Sequence, residues 1–289
     1  MRIFRVDNPH TKPVPFWEYL ISRVRHRFPD TIFLSEAFTK PKMMKALAKS
    51  GFTQSYTYFT WRTFKQELIE YFTELTQSDM QEYFRGNLFP NTPDILPEYL
   101  HHAGRPAFIV RLILAGTLAA SYGMYAPAYE LMVNVPLAPG REEYLDSEKY
   151  EIKDWNLNQP DSLAEIIIIL NRIRRENPAL QTNVGLRFHP TSNDELLAYS
   201  KTTGDGANPV LTVVNLDPHH TQAGIVELDL EALGVDPQQP FQMHDLLGGG
   251  RYLWHGPRNY VELNPHVMPA HIFRVRHRVR TERDFDYFM

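Results

Sequence analysis

Three carboxylates in the first third of the sequence lie where short apolar runs end. Asp7 and Glu36 each stand at the end of such a run, and Asp94 lies a few residues beyond another. Functional residues of parallel α/β sheets collect at the carboxyl ends of strands, so we expect these three side chains on one rim. Arg5 precedes Asp7 by two residues and therefore shares its side of the strand, where it can keep Asp7 ionised and oriented.

A pair of carboxyl groups on one rim suits glycosyl chemistry that retains the anomeric configuration. One ionised carboxylate attacks the anomeric carbon, and a protonated carboxyl group about 5 to 5.5 Å away protonates the leaving oxygen. Asp7 fits the nucleophile and Glu36 the acid, because apolar neighbours and a nearby carboxylate raise a carboxyl pKa. The apolar neighbours of Glu36 are Phe33, Leu34, Ala37 and Phe38. The pattern alone leaves a second interpretation open, since a carboxylate after a strand is often a helix cap or an ion-pair partner.

Short apolar runs alternate with helical patterns from Asp7 to about Pro178, which is typical of a parallel sheet covered by helices. Five strands are predicted, at Ile3–Val6, Ile32–Leu34, Gln54–Tyr58, Asn87–Phe89 and Gly123–Tyr125. Five helices are predicted, at Pro15–Arg27, Pro41–Ser50, Thr63–Thr76, Arg105–Ser121 and Leu163–Glu176. Pro15 and Pro41 favour helix starts, where the missing N–H of proline does no harm.

After Pro178 the pattern changes to short alternating runs separated by turns that contain Gly, Asn and Pro, such as Gly204-Asp205-Gly206. Strands are predicted at Glu195–Lys201, Val210–Asn215, Gly224–Leu228, Arg251–Trp254, Tyr260–Leu263 and His271–Val275. The sequence therefore predicts two domains, an α/β domain over residues 1–180 and an antiparallel β-sandwich over residues 181–289.

The sequence opens inside a predicted strand, with Arg2–Asp7 directly after Met1. A sheet strand needs neighbours on both sides unless it lies at an edge. We therefore expect that this sequence lacks strands that precede Arg2 in the intact sheet.

Composition excludes several classes of protein. With 289 residues, 43% hydrophobic and 22% charged, the chain is typical of globular proteins, and its net charge of -4 argues against a nucleic-acid partner. The absence of cysteine excludes disulfides and thiolate chemistry. The longest apolar stretch, 107–122, contains Arg111 and falls short of the ~20 residues that span a bilayer, so we expect no membrane partner. No signal-peptide pattern opens the chain, and we expect a cytoplasmic location.

Two histidine pairs invite a metal hypothesis, which the residue types do not favour. Adjacent residues on a strand face opposite ways, so a metal shared by His219 and His220 is not expected. His101 and His102, after the Asp94 segment, are predicted to be a surface pair.

Several motifs resemble a known family. The stretch Phe4-Arg5-Val6-Asp7-Asn8 resembles the nucleophile-bearing strand of the α-amylase superfamily of glycoside hydrolases, and Phe33-Leu34-Ser35-Glu36-Ala37-Phe38 resembles its acid/base motif. Asn91-Thr92-Pro93-Asp94 takes the place of the superfamily's usual Asn-His-Asp. More specific are Arg5–Pro13, Gly51–Trp61, Pro139–Glu151 and Asn215–His220, which are similar to the α-1,4-glucan:maltose-1-phosphate maltosyltransferases. The similarity extends over essentially the whole chain.

The resemblance implies the C-terminal part of a (β/α)8 TIM barrel, about strands 4 to 8, followed by an antiparallel β domain. It implies retaining maltosyl transfer from α-maltose 1-phosphate to the non-reducing end of α-1,4-glucans, with phosphate release, in glycogen or α-glucan biosynthesis. No metal or organic cofactor is needed for this chemistry. Family members tend to be homodimers, so a homodimer is expected of the full-length form.

The resemblance also assigns roles to individual residues. Asp7 would form a covalent β-maltosyl intermediate, Glu36 would act as general acid and then as general base, and Asp94 would stabilise the transition state. Asn8 matches a position that contacts phosphate, and Lys149 and Tyr150 match positions that hold the far glucose of maltose.

Two alternatives stay open at this point. The chain could be a related α-glucan hydrolase, or an inactive glucan-binding fragment without the first barrel strands. Three aromatic residues of the second motif, Tyr56, Tyr58 and Trp61, could stack on sugar rings, although such residues more often serve packing.

Overall fold

A five-stranded parallel sheet forms the frame of the first part of the chain, as the alternating pattern predicts. Its strands lie side by side in chain order and are β1 (Ile3–Asp7), β2 (Ile32–Glu36), β3 (Gln54–Tyr56), β4 (Gly86–Leu88) and β5 (Ser121–Tyr122). The helices in the connections are α1 (Val14–Arg27), α2 (Pro41–Lys49), α3 (Lys65–Gln77), α4 (Met80–Tyr83) and α5 (Gly104–Leu118). A strand order that never reverses is the order found in α/β barrels, whereas doubly wound sheets reverse it.

The structure is a computed structural model that describes residues 1–276, so residues 277–289 of the predicted second domain lie outside the described residues. The chain divides into two units. The first comprises residues 1–102 and 118–161, and the second comprises residues 103–117 and the chain from Ser162 onward. Helix α5 thus falls almost wholly within the second unit, as does α7 (Ala164–Glu176), while the short helix α6 (Ala126–Glu130) belongs to the first.

A small aromatic core fixes β2 beneath the first two helices of the first unit. Phe33 of β2 is buried in one cluster with Trp17 and Ile21 of α1 and Leu47 of α2. Proline occupies the first turn of both helices, as predicted, because that turn leaves backbone N–H groups without an intrahelical partner in any case.

The fifth strand lies two residues earlier than predicted. β5 consists of Ser121 and Tyr122, and the chain leaves the ladder at Gly123, whose N–H still donates to the Leu88 carbonyl at 2.9 Å. A Cβ at Gly123 would stand 2.3 Å from the Phe89 ring, so glycine allows this close passage. The sequence pattern indicates a strand equally well at Ser121-Tyr122 and at Gly123-Met124-Tyr125, so it does not distinguish the two positions.

The second unit contains two antiparallel sheets that share one apolar core. The six-stranded sheet has the order β11-β10-β13-β8-β7-β6, and β12 pairs with β9 in a two-stranded sheet. The strands are β6 (Arg187–His189), β7 (Leu196–Lys201), β8 (Val210–Asn215), β9 (Gln222–Glu227), β10 (Phe241–Asp245), β11 (Arg251–Trp254), β12 (Arg258–Leu263) and β13 (Ala270–Arg276). Val226 of β9 and Val261 of β12 lie in one core with Leu211, Met243 and Phe273 of the larger sheet. The predicted antiparallel domain is confirmed, and β6 and β10 are strands that the pattern missed.

A buried histidine makes the second unit sensitive to acid. The ring of His189 hydrogen-bonds Ser200 Oγ at 2.8 Å through Nε2 and accepts the Asp229 backbone N–H at 3.4 Å through Nδ1. Burial lowers the pKa of His189 to about 4, from an ordinary value of 6.5. Between these two values the unfolded chain binds a proton that the folded chain does not, so acidification from pH 6.5 to 4 removes up to ~3 kcal/mol of stability.

Replacement of His189 by Gln is therefore expected to flatten the dependence of unfolding on pH in that window. The measurement is the urea midpoint by circular dichroism at pH 7 and pH 4.5. The matched control is His255→Gln, at an exposed histidine of the same unit. If the urea midpoint fell equally from pH 7 to pH 4.5 in the wild type and in His189→Gln, His189 would not be the source of the acid sensitivity.

Candidate active site

The ends of the first two strands bring two carboxyl groups side by side. β1 and β2 pair in parallel register with Asp7 opposite Glu36, so both side chains leave the sheet at the same edge. Their surroundings differ strongly, because the Asp7 side chain is 69% exposed and that of Glu36 only 9%. Asp7 can be solvated as an anion, while ionisation of Glu36 requires a charge in a buried position.

The protonated form of Glu36 is favoured by its position. Burial raises the pKa of Glu36, and the hydrogen bond and negative charge of Asp7 raise it further. The Asn8 backbone N–H and the Arg5 guanidinium oppose this shift, although the net direction is upward. Two adjacent carboxyl groups in such unlike surroundings are the arrangement in which one serves as an acid and the other as an anion.

A backbone turn directly after Asp7 supplies a donor to Glu36. The Asn8 N–H lies 3.0 Å from the Glu36 carbonyl oxygen and 3.2 Å from Glu36 Oε2. Asn8 adopts the left-handed region with φ of 44°, a conformation that asparagine tolerates better than most residues. The main chain of Asn8 therefore contacts the acid, while its side chain is exposed.

Arg5 connects all three carboxylates predicted from the sequence. Its guanidinium lies 3.9 Å from Asp7 Oδ1, 3.5 Å from Glu36 Oε1 and 3.4 Å from Asp94 Oδ2. Arg5 also hydrogen-bonds the Tyr56 side chain. The pKa of Tyr56 is raised overall, because the effect of burial outweighs the opposing effect of Arg5. A planar guanidinium offers five N–H donors in a fixed fork, which lets one cation serve several oxygens.

Asp94 reaches the cluster from a tight turn that follows β4. Thr92 and Ile95 exchange backbone hydrogen bonds of 3.0 and 3.2 Å, and Thr92 Oγ1 accepts the Asp94 N–H at 3.1 Å. Lys149 Nζ forms an ion pair with Asp94 Oδ1 and lies 3.8 Å from Glu143 Oε1. The pKa of Lys149 is raised, chiefly by its hydrogen bond to Asp94.

The other residues that the sequence suggested differ in how they relate to this cluster. The Tyr150 side chain is exposed and follows Lys149 directly. Tyr56 is buried and its ring stacks on Phe89 with centroids 4.2 Å apart, so its face is used for packing. Trp61 donates from Nε1 to Glu142 Oε1 at 2.7 Å.

Two buried residues beside the cluster, Asn91 and Tyr144, were not predicted from the sequence as site residues. The Asn91 amide and the Tyr144 hydroxyl are hydrogen-bonded at 2.8 Å, and both residues are buried. Asn91 opens the motif that contains Asp94, and Tyr144 lies within the Pro139–Glu151 motif. Nothing in the sequence indicates that the Tyr144 hydroxyl meets a residue 53 positions earlier.

The histidine pairs differ from each other. His101 is buried and its Nε2 lies 3.0 Å from the Leu96 carbonyl oxygen, so the prediction that both His101 and His102 lie at the surface is wrong for His101. The ring of His101 serves local packing and hydrogen bonding. Within residues 1–276, no group of three or more His, Cys, Asp or Glu side chains is placed to hold a metal ion. In the same range, no helix is long and apolar enough to cross a membrane.

Comparison with known sequences gives one consistent family. A family model described as "GLGE, C-terminal" matches residues 188–275. An α-1,4-glucan:maltose-1-phosphate maltosyltransferase from Chlorobaculum tepidum is 53% identical over 281 residues, which are 95% of this chain and 42% of that protein. The enzyme of that name from Myxococcus xanthus is 52% identical, with 99% and 42% covered. Maltosyltransferase 2 of Streptomyces coelicolor is 54% identical, with 96% and 41% covered. The chain spans about two fifths of the length of these relatives.

Comparison with solved structures gives the fold. An α-amylase from Geobacillus thermoleovorans, solved with acarbose, matches with a TM-score of 0.72 at 15% identity, over 96% of this chain and 61% of the other. An Anoxybacillus α-amylase matches with a TM-score of 0.70 at 14% identity, over 97% and 60%. At this identity the similarity establishes an α-amylase-like fold and nothing about substrate.

Proposed function

We propose that this chain, which belongs to the α-1,4-glucan:maltose-1-phosphate maltosyltransferase family and matches about two fifths of its members' length, carries the catalytic carboxylates of retaining maltosyl transfer. The donor is α-maltose 1-phosphate, the acceptor is the non-reducing end of an α-1,4-glucan, and phosphate leaves. The observation that carries the proposal is the exposed Asp7 in register with the buried Glu36, whose pKa is raised by burial.

The first half of the reaction forms a covalent intermediate. An Asp7 oxygen attacks the anomeric carbon, the bond to the phosphate oxygen breaks, and Glu36 gives its proton to that oxygen. Neighbouring strands lie about 4.8 Å apart, which suits the ~5 to 5.5 Å between carboxyl groups of retaining enzymes better than the wider gap of inverting ones.

The second half transfers the sugar to the acceptor. Glu36, now ionised, takes the proton of the acceptor 4-hydroxyl, whose oxygen attacks the anomeric carbon and releases Asp7. The pKa of Glu36 has to favour a proton in the first half and allow its loss in the second. Burial raises the pKa of Glu36, while Arg5 and the Asn8 N–H lower it, and this balance suits both demands.

In this proposal the remaining residues stabilise the transition state and orient the donor. Asp94 stabilises positive charge that develops on the sugar ring, and Arg5 keeps three carboxylates close together without mutual repulsion. The Asn8 side chain contacts the phosphate of the donor. Lys149, next to Asp94, and Tyr150 hold the far glucose of maltose.

Three further features belong to the same proposal. The five parallel strands are about strands 4 to 8 of a (β/α)8 barrel, which the sequential strand order supports. The catalytic domain comprises residues 1–180 and the antiparallel domain residues 181–289. The location is cytoplasmic and the protein forms a homodimer, both as the family resemblance implies.

The proposal is tested by incubating the purified chain with α-maltose 1-phosphate and a short maltooligosaccharide. We expect phosphate release that requires the acceptor and a product lengthened by two glucose units. Release without acceptor, together with free maltose, would indicate a hydrolase. No release from a chain whose circular dichroism shows it to be folded would contradict activity of this chain by itself.

A further inference from the structure

Asn91 is a fully buried amide with three hydrogen bonds to one distant segment. Its Nδ2 donates to the Tyr144 hydroxyl at 2.8 Å and to the Tyr125 carbonyl oxygen at 3.3 Å, and its Oδ1 accepts the Tyr125 N–H at 3.0 Å. Tyr125 and Tyr144 lie 34 and 53 residues further along the chain. One side chain therefore holds two points of the segment 125–149, which we call the clasp segment.

The clasp segment leaves the Asn91 turn and returns to it. Tyr125 anchors its beginning at Asn91, and Tyr144 anchors its later part there. Lys149, at its end, forms an ion pair with Asp94, three residues after Asn91. Between the anchors, the Leu96 N–H donates to the Glu142 carbonyl oxygen at 2.6 Å.

The end of the clasp segment needs such support because Lys149 is long and exposed. An exposed lysine loses side-chain entropy when it is held in one geometry, and exposed ion pairs contribute little by themselves. The Tyr125 hydroxyl donates to the carboxylate of Glu148, next to Lys149, so the ring that Asn91 anchors by its backbone also contacts the Lys149 neighbourhood. A chain of contacts thus runs from the buried amide through Tyr125 to the residue next to the lysine.

From this geometry, and resting on the function proposed above, we infer that Asn91 is a positioning residue that keeps Lys149 against Asp94 and so builds the donor site. The Asn91 side chain is fully buried and its amide is bonded to Tyr125 and Tyr144, so it acts through the clasp segment. The turn that carries Asp94 has its own hydrogen bonds between Thr92 and Ile95, so loss of Asn91 displaces Lys149 more than Asp94.

Hydrogen exchange tests the structural half of the inference without any activity. Asn91→Ala leaves the Tyr144 hydroxyl and the Tyr125 backbone without their buried partner, so amides in peptides covering 135–150 should exchange about tenfold faster. Peptides covering 32–49 should be unchanged. Tyr144→Phe, which removes one hydroxyl, should give a smaller change of the same kind.

A matched control lies in the second unit. Asn215 is also fully buried, and its Nδ2 donates to the carbonyl oxygens of His220 and Leu263 while its Oδ1 accepts the Asp217 N–H. Asn215→Ala should speed exchange around β8 and leave 135–150 unchanged. Tyr199→Phe is the corresponding control for Tyr144→Phe, because the Tyr199 hydroxyl is buried against Thr117.

A double-mutant cycle tests the functional half. Asn91→Ala and Lys149→Ala should each raise KM for α-maltose 1-phosphate about tenfold, with kcat changed less than about threefold. Because Asn91 acts through Lys149, KM of the double variant should equal that of Lys149→Ala alone. Two independent sites would instead raise KM by the product of the single effects, roughly hundredfold. Asn215→Ala should leave KM unchanged.

The outcomes separate the inference from the proposed function. The inference would be overturned if amide exchange at 135–150 were unchanged in Asn91→Ala. It would also be overturned if the two single effects on KM multiplied in the double variant. A wild-type chain without transferase activity would end the proposed function. The exchange experiment would still decide whether Asn91 holds the clasp segment.

Discussion

Replacing Asp7 by glycine is expected to reduce maltosyl transfer by at least about 1000-fold, and added azide is expected to restore turnover with inverted configuration. The small side chain leaves room for azide where the Asp7 carboxylate stood. Azide then attacks the anomeric carbon from that side while Glu36 still protonates the leaving phosphate. The product is β-maltosyl azide, which NMR of the anomeric proton identifies.

The partner variant, Glu36→Ala, is expected to give the opposite product. A donor with a good leaving group, α-maltosyl fluoride, needs little help from an acid, so Asp7 can still form the covalent intermediate. Azide needs no general base, and it attacks the intermediate from the far face to give α-maltosyl azide. Opposite configurations from the two variants would thus identify nucleophile and acid/base separately.

Asp154→Asn, at an exposed aspartate of the same unit, serves as the control and should retain full activity without azide. The same azide anomer from Asp7→Gly and Glu36→Ala would contradict the two assignments. With α-maltose 1-phosphate as donor and no azide, a loss of less than about tenfold in either variant would contradict them too, because removal of a covalent nucleophile or its acid costs far more.

Replacing Arg5 by glutamine is expected to lower kcat/KM about 100-fold and to move the basic limb of its pH profile upward. Arg5 contacts Asp7, Glu36 and Asp94, and its charge lowers the pKa of Glu36. Without that charge the pKa of Glu36 rises further, so the acid keeps its proton to a higher pH. The basic limb, which marks loss of this proton, therefore shifts to higher pH.

Arg5→Lys is expected to recover part of the rate and most of the pH profile, because an ammonium keeps the charge but cannot serve three carboxylates at once. The control is Arg2→Gln, directly before β1, where the exposed arginine pairs with exposed Asp30. The measurement is kcat/KM between pH 5 and pH 9. A rate loss in Arg5→Gln with an unmoved basic limb would show that Arg5 does not act through Glu36.

The end of the parallel sheet that carries Asp7, Glu36 and Asp94 was predictable because it depends on local patterns. An apolar run followed by a carboxylate fixes both the strand and the end from which the side chain projects. The spacing of Arg5 and Asp7 predicted their common side, and the structure confirms it with both side chains in one ion-pair cluster. The raised pKa of Glu36 was predictable from its apolar neighbours for the same reason.

Contacts between distant segments were not predictable. The hydrogen bonds of Asn91 join residues up to 53 positions apart, and neither residue type nor period signals them. β9 and β12 pair across an intervening hairpin of the other sheet, which alternation alone cannot show. His101 is buried with its Nε2 3.0 Å from the Leu96 carbonyl oxygen, in a segment without a regular sequence pattern. Such features arise from tertiary packing between distant segments, and no periodic pattern in the sequence indicates them.

The most direct test of the central claim is a search for the covalent intermediate. Glu36→Gln is incubated with α-maltosyl fluoride, and the protein is digested with pepsin at low pH and analysed by mass spectrometry. Because Glu36→Gln lacks the base for the second step, we expect one maltosyl group in an acid-stable ester on Asp7. No adduct on a folded chain that binds maltose, or an adduct on any other residue, would contradict the account.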